Sequence, residues 1–196
     1  MLYVAIRQLL RFLFAVLYRW EVSGKHNVPA SGPVILCGNH INNIDPLILA
    51  SPLDRKVQFM AKEELFRVPV LGPLIHTLGA YPVKRGGVSK ESIRHSIRLL
   101  EEGHVMGIFP EGSRKNAGGM GKKGAAMLAL KSNATVIPVA IVGRYTPFRK
   151  MKVIYGSPVD LSEFAGGGSE QLEAATEKIM SVIRNMVTEN KKLGKN

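Results

Sequence analysis

The chain has 196 residues, of which 45% are hydrophobic and 21% are charged. This composition excludes a disordered or low-complexity protein, and the length favours one domain with a single core over a two-domain cofactor enzyme. Lysine and arginine outnumber aspartate and glutamate by 27 to 15, a net charge of +12, which indicates an anionic partner: nucleic acid, an anionic membrane surface, a phosphorylated metabolite or an acidic carrier protein.

The first 20 residues are mostly large and apolar and predict a helix. Arg7, Arg11 and Arg19 interrupt this run at spacings of four and eight, which places them on one narrow stripe. Arginines inside the run argue against both a membrane-spanning helix and a secretory signal. We therefore expect residues 1–21 to form an amphipathic helix in the membrane interface. The alternative is a helix packed on its own domain with its arginines outward.

From Val22 onward, short apolar runs alternate with helical patterns. This alternation predicts an α/β domain over residues 22–196, with a central, mostly parallel or mixed sheet flanked by helices. The strands are expected at residues 32–38, 57–61, 104–109, 135–142 and 152–155. Helices are expected at residues 89–102, 124–130 and 169–189, with Ser89 as an N-cap. Cys37, the only cysteine, lies in the first of these strands, so we expect a buried thiol and no internal disulfide.

A polar segment, residues 38–46, follows that first strand. Asp45 precedes Pro46, a pattern that predicts a helix with Asp45 as its N-cap and Pro46 as its first residue. His40 stands at the strand end, and the four residues between can turn its imidazole back toward Asp45. The carboxylate would then orient the ring and leave the other nitrogen as a base. The alternative is a capping aspartate and an unrelated loop histidine.

Two further polar segments follow apolar runs. Glu111, Gly112, Ser113 and Arg114 come directly after the strand at 104–109, and ligands of open α/β sheets gather at the carboxyl ends of strands. Lys84 and Arg85 end a second segment, and a guanidinium suits phosphate because it donates paired hydrogen bonds. Either arginine alone could be an ordinary surface charge.

The five histidines lack metal-binding spacing, and neither a P-loop nor a nucleophile elbow is present, so no metal or cofactor is expected.

Taken in order, these segments resemble the glycerophospholipid acyltransferase family, specifically its bacterial 1-acyl-glycerol-3-phosphate acyltransferases. The resemblance covers roughly residues 22–160. It is carried by His-x4-Asp (His40 to Asp45), Gly-x5-Arg (Gly79 to Arg85), Phe-Pro-Glu-Gly-Ser-Arg (residues 109–114) and the proline-containing strand at 136–140. Ser113 stands where threonine is commoner in the family, and it retains the hydroxyl.

The resemblance implies that a fatty acyl group passes from an acyl thioester to the sn-2 hydroxyl of lysophosphatidic acid, giving phosphatidic acid. The donor would be acyl carrier protein or coenzyme A. His40 would act as general base and Asp45 would orient it. Arg85 and Arg114 would bind the phosphate of the acceptor. The acceptor would also contact Lys84, which precedes Arg85, and Lys123, which precedes a predicted helix. The remaining contacts would come from Glu111, Gly112 and Ser113. Glu111 could lie near the acceptor's glycerol or pair with Arg114.

The family's chemistry also fits the charge and the apolar N-terminal run. We expect peripheral, monotopic association with the cytoplasmic face of the cell membrane through an anionic surface, and no nucleic-acid partner. The uncharged run at 68–83 would line an acyl-chain tunnel, face the membrane or belong to the core. One alternative is an enzyme of this family with another acceptor: glycerol-3-phosphate, a lyso-aminolipid or another lysophospholipid. A more remote one is a non-catalytic basic module that binds membrane or nucleic acid, which leaves the ordered motifs unexplained.

Overall fold

The structure is a computed structural model that describes residues 2–83, 89–112 and 121–192. Within these ranges the chain forms a mixed seven-stranded sheet in the order β1-β7-β6-β2-β5-β3-β4, in which neighbours run parallel except β6 and β7. The strands are β1 (Glu21–Ser23), β2 (Val34–Gly38), β3 (Val57–Lys62), β4 (Ala80–Val83), β5 (Val105–Ile108), β6 (Thr135–Gly143) and β7 (Met151–Tyr155). This confirms the expected α/β class.

Helices cover both faces of the sheet. Those in the described ranges are α1 (Leu2–Tyr18), α2 (Asp45–Ala50), α3 (Glu63–Phe66), α4 (Leu71–Thr77), α5 (Lys90–Glu101), α6 (Gly124–Ser132) and α7 (Ser169–Lys192). The central strand β2 is buried on both faces. Its Val34 and Leu36 join a core with residues of α1 and α2, whereas Ile35 and Cys37 join a second core with residues of α5, α6 and α7. Two buried faces explain why β2 reads as a continuous apolar run.

The expected strands and helices lie within about three residues of the observed ones. Ser89 caps α5 as expected, its Oγ accepting a hydrogen bond from the Ser92 N–H at 3.1 Å. Cys37 is buried and free, also as expected. Local sequence patterns do not predict β1, β4, α3 or α4. These elements have three to seven residues, and β1 and β4 lie at the sheet edges, so neither periodicity nor burial marks them in the sequence.

Helix α1 has an orientation that differs from one expectation. Arg7 and Arg11 face the protein, where they donate to carbonyl oxygens just beyond the end of α2: Arg7 to Leu53 at 3.1 Å and Arg11 to Ser51 at 2.6 Å. The alternative is therefore wrong about the arginines, although α1 does pack on its own domain through the buried Phe14. The last carbonyls of a helix lack intrahelical partners, and cations are favoured there. Arg19 lies beyond α1 and is exposed, with a φ of 41°.

The uncharged run at 68–83 forms α4 and β4 and the turn before them. Val68, Val70, Leu71 and Leu74 are exposed, so this part of the run does not belong to the core. Val70 is 82% exposed and has a φ of 66°, in a tight turn closed by a 2.7 Å bond from the Leu71 N–H to the Pro69 carbonyl. No helix of the described residues is both long and apolar enough to cross a bilayer.

Candidate active site

The end of β2 is fixed by Asn39. Its side-chain amide donates to the Ile141 carbonyl at 3.0 Å and accepts from the Ile141 N–H at 2.7 Å. These two bonds continue the β2–β6 pairing one step beyond the last main-chain pair, Gly38 with Val139. Because Asn39 is held on both its donor and its acceptor, the chain leaves the sheet in a defined direction and places His40 at the carboxyl edge.

His40 and Asp45 are in contact, which is the first of the two alternatives that the spacing left open. The imidazole Nδ1 lies 2.7 Å from Asp45 Oδ2, and the carboxylate is fully buried while the imidazole is 19% exposed. The same oxygen accepts from the main-chain N–H groups of Ile41 at 2.6 Å and Asn42 at 2.7 Å, and Oδ1 accepts from the Tyr145 hydroxyl. A carboxylate surrounded by donors acts only as an acceptor. Nδ1 of the neutral ring therefore carries the proton, and Nε2 is the nitrogen that can accept one.

The predicted cap of α2 is wrong in detail. The helix begins at Asp45, and Ile44 occupies the capping position without a side-chain bond. The Asp45 carboxylate instead turns back toward residues that precede the helix. The physical reason is that a fully buried carboxylate is satisfied by the imidazole and the loop N–H groups, which the start of the helix alone would not supply.

The plane of the imidazole is set by an aromatic stack. The Phe109 ring lies on that of His40 with centroids 4.3 Å apart and planes inclined by 21°, and Phe59 lies on Phe109 at 6.3 Å. Gly38 leaves room for this stack, since a Cβ there would approach Leu49 Cδ1 to 2.9 Å and Phe109 Cε1 to 3.4 Å. The stack on Phe109 sets the plane of the His40 imidazole, while the bond to Asp45 sets the direction in which Nδ1 points within that plane.

The motif after β5 folds into a tight turn that reaches the same edge. The Gly112 N–H donates to the Phe109 carbonyl at 2.9 Å, with Pro110 at the second position, where its restricted φ suits a turn. Gly112 has a φ of 70°, which favours glycine. Glu111 is 2% exposed, and its Oε2 accepts from the His40 main-chain N–H at 3.1 Å. The turn after β5 thus holds the loop that carries His40.

Two lysines precede α6. The Lys122 N–H donates to the Pro110 carbonyl at 2.7 Å, and its side chain lies over Gly112: a Cβ on that glycine would approach Lys122 Cε to 2.5 Å. Lys123 is an acceptor-binding candidate from the sequence. Its ammonium pairs with Glu173 Oε1 at 2.5 Å and donates to Ser169 Oγ at 2.6 Å, both on α7.

The structure brings four of the predicted site residues to one place, namely His40, Asp45, Glu111 and Gly112. It places Lys123 against α7, and the acceptor-binding role of this lysine stays a prediction. Four further candidates lie outside the described residues, and their roles also stay predictions: Lys84, Arg85, Ser113 and Arg114.

The sequence motifs led to no site role for Asn39, Phe109, Lys122 or Tyr145. Asn39 carries a usable signal, because a polar amide directly after a buried strand needs partners. Phe109 lies inside a recognised motif and could have been assigned to the site. Tyr145 has no local signal, since it is 100 residues from the aspartate that it contacts.

The surroundings of Tyr145 favour its protonated form. Burial raises its pKa above the ordinary value of 10, and the negative charge of Asp45 raises it further. The hydroxyl therefore stays protonated and remains a hydrogen-bond donor to Asp45 at neutral pH.

Comparisons with known proteins identify the family. Residues 19–142 match the family model described as Acyltransferase. A Bacillus subtilis protein named 1-acyl-sn-glycerol-3-phosphate acyltransferase is 34% identical over 178 residues, covering 87% of this chain and 88% of that one. A Borreliella burgdorferi protein of the same name is 30% identical over 173 residues, covering 85% of this chain and 69% of that one.

A solved structure has the same fold. The crystal structure of the 1-acyl-sn-glycerophosphate (LPA) acyltransferase PlsC from Thermotoga maritima aligns with a TM-score of 0.77 and 26% sequence identity, covering 96% of this chain and 79% of that one. The family match covers more than half of the chain and includes His40, Asp45 and the turn that carries Glu111. The chain therefore belongs to the acyltransferase family.

Proposed function

We propose that this protein transfers a fatty acyl group from an acyl thioester to the sn-2 hydroxyl of 1-acyl-glycerol-3-phosphate, giving phosphatidic acid. The names of its relatives in Bacillus and Borreliella support this acceptor. The observation that carries the proposal is the 2.7 Å contact between His40 Nδ1 and the buried Asp45 carboxylate at the carboxyl edge of the sheet. Acyl carrier protein and coenzyme A are both anionic, and the net charge of +12 suits either donor.

In the first step, the acceptor oxygen attacks the thioester carbonyl carbon while His40 Nε2 takes the hydroxyl proton. The Nδ1–H stays bonded to Asp45, which stabilises the imidazolium that forms. General base catalysis of this kind contributes about 10²–10⁴-fold to a rate. The acceptor oxygen is itself the nucleophile, so the site needs no serine or cysteine.

In the second step, the tetrahedral intermediate collapses and the carbon–sulfur bond breaks. The sulfur leaves as a thiolate, and the imidazolium returns its proton to that thiolate, which restores neutral His40. A thiol has a pKa of roughly 8.5, so it departs with little assistance from an acid. A dyad is therefore sufficient for this reaction.

For the acceptor phosphate, the family resemblance favours Arg85 and Arg114, with Lys84, Gly112 and Ser113 beside them. The position of Lys122 over Gly112 adds a further cation near the dyad. For Glu111, the buried bond to the His40 main chain supports a role in holding the catalytic loop.

We further propose that the chain binds the membrane peripherally through α1. Because Arg7 and Arg11 point inward, the apolar side of this helix faces outward. Seven large apolar residues of α1 are between 37% and 65% exposed: Leu2, Val4, Leu9, Phe12, Leu13, Val16 and Leu17. Several exposed apolar side chains along one helix are typical of an interfacial helix.

The loop between β6 and β7 extends this surface toward the dyad. The Phe148 N–H donates to the Leu17 carbonyl at the end of α1 at 2.5 Å, and the Phe148 side chain is 67% exposed. Arg144 and Arg149 are exposed on the same loop. An apolar ring flanked by cations suits an anionic bilayer, in which the acceptor would also reside.

The reaction is tested with purified protein and a donor whose acyl group is labelled, carried either by acyl carrier protein or by coenzyme A. The acceptors are lysophosphatidic acid, glycerol-3-phosphate and a lyso-aminolipid. We expect phosphatidic acid from lysophosphatidic acid. His40→Ala and Asp45→Asn should each retain less than about a tenth of the activity. His104→Ala is the matched control, because this histidine is exposed and directly precedes β5, at the opposite end of that strand from the turn that carries Glu111. Full activity in His40→Ala, or a preference for another acceptor, would contradict the proposal.

Membrane association is tested by flotation with anionic vesicles. Leu9→Gln/Phe12→Gln should weaken binding several-fold, because it replaces exposed apolar side chains with polar ones without a change of charge. The matched variant Leu9→Met/Phe12→Met keeps the apolar area and should bind as the wild type does. Equal binding of both variants would exclude α1 as the contact. Vesicle binding that is lost at high salt and is unaffected by either double substitution would indicate a purely electrostatic contact.

A further inference from the structure

We propose that Tyr145 is a positioning residue of the dyad: its hydroxyl holds the Asp45 carboxylate, and through it the His40 imidazole, in the orientation that proton transfer requires. This inference rests on the dyad chemistry proposed above. It assigns a role to a residue of the β6–β7 loop that none of the sequence motifs contains.

The two oxygens of Asp45 have different partners. Oδ2 accepts from the His40 ring and from the N–H groups of Ile41 and Asn42, whereas Oδ1 accepts from the Tyr145 hydroxyl. The bonds at Oδ2 hold one oxygen of the carboxylate and the Tyr145 hydroxyl holds the other, so rotation about the Cβ–Cγ bond would weaken hydrogen bonds at both oxygens. The carboxylate plane, and with it the direction of the bond to Nδ1, is then determined.

Tyr145 is itself held in place by the end of α1. Its ring meets the Tyr18 ring edge to face, with centroids 5.6 Å apart and an interplanar angle of 83°. The loop that carries it is tied to the same end of α1 by the bond from the Phe148 N–H to the Leu17 carbonyl. Such edge-to-face pairs favour one ring orientation. The hydroxyl is thus presented to Asp45 by a braced side chain.

The protonation of Tyr145 suits a permanent donor. Burial and the neighbouring Asp45 charge raise the pKa of Tyr145 above its ordinary value, so the hydroxyl keeps its proton at neutral pH. A donor that never ionises takes no part in the proton transfer itself. Its effect on the reaction is therefore expected through Asp45 alone.

The decisive experiment is a double-mutant cycle on activity. Tyr145→Phe should lower kcat about 10- to 100-fold, the size expected for losing a hydrogen bond to a charged group, with little change in KM for the acceptor. In the Asp45→Asn background, the same change should have almost no further effect, because the carboxylate it acts on is gone. Tyr18→Phe is the matched control, since it removes a neighbouring hydroxyl and retains the ring contact; it should keep wild-type kcat.

A second measurement does not depend on activity. Imidazole ¹⁵N NMR of the wild type should show His40 with its neutral proton on Nδ1, and Tyr145→Phe should shift or broaden these resonances while Tyr18→Phe leaves them unchanged. In the wild type, the Tyr145 hydroxyl proton should be slow to exchange with water. If the wild type transferred no acyl group, the proposed function would fail while these spectra still tested the positioning role. Unchanged spectra, a rapidly exchanging hydroxyl, or additive losses in the cycle would overturn the inference.

Discussion

Polar side chains beside the dyad are buried only where partners surround them. Asp45 is fully buried with four donors, and Glu111 is 2% exposed and accepts from the His40 N–H. Asn39, at 8% exposed, is paired through both ends of its amide. Leaving one such group unpaired costs about 1–3 kcal/mol, and more if it is charged. The geometry of the His40–Asp45 pair is therefore held by buried groups whose hydrogen bonds are satisfied within the protein.

Cys37, two residues before Asn39, should be chemically inert in the folded chain. Burial raises the pKa of its thiol to about 12, so roughly one part in ten thousand is thiolate at pH 8, against about a quarter for an exposed thiol. We expect reaction with a thiol-specific disulfide reagent to be several orders of magnitude slower in buffer than in urea. As the only cysteine, it makes the readout unambiguous. Rapid labelling of the native chain would contradict this prediction.

Among the elements, α1 and α2 form a unit that links the outer surface to the dyad. Helix α2 begins with Asp45 and ends at Ala50, and the carbonyls that follow it accept hydrogen bonds from Arg7 and Arg11 of α1. Both arginines also contact the Asp54 carboxylate, at 3.3 and 3.0 Å. The two arginines that interrupt the apolar run of α1 therefore stabilise the helix that presents the Asp45 carboxylate.

Replacing Arg7 should test this link. Arg7→Met keeps the length and apolar stem of the side chain and removes its hydrogen bonds, so we expect the free energy of unfolding to fall by about 1.5–3 kcal/mol. Urea titration followed by circular dichroism measures the change. Arg19→Met, at an exposed position beyond the helix, should alter stability by less than about 0.5 kcal/mol. Equal free energies of unfolding for the two variants would show that the contact between α1 and the end of α2 does not stabilise the fold.

At the scale of the whole molecule, α1 is part of the folded unit as well as a candidate membrane contact. Phe14 is 6% exposed and lies in the same core as Val34, Leu36 and Ile141. The family model begins at residue 19, after this helix. The predicted boundary between residues 21 and 22 separates two proposed roles, while α1 packs into the core formed by the second segment.

A pair of phenylalanines on α1 tests this integration. Phe14→Ala should lower the free energy of unfolding by about 3–5 kcal/mol, because it leaves a cavity in the core. Phe12→Ala, at a position 65% exposed, should change it by less than about 0.5 kcal/mol. Thermal or urea unfolding of both variants provides the comparison. If α1 were a detachable anchor, both substitutions would leave the unfolding of the sheet unchanged.

The sequence alone determined the α/β class, the long helices, the central strands and the buried thiol, and it made the contact between His40 and Asp45 one of two open alternatives. These features follow from local patterns: apolar periodicity, Pro and Gly placement, and a histidine and an aspartate separated by a loop short enough to close on itself. The tertiary structure decided the direction of α1, the partner of Glu111, the aromatic stack under His40 and the bond from Tyr145 to Asp45. Each of these depends on which strands become neighbours, because β2 lies between β5 and β6 and thereby brings residues 70 to 100 positions apart within hydrogen-bonding distance. Short-range patterning carries no information about such long-range pairs, whereas the packing of the sheet fixes them.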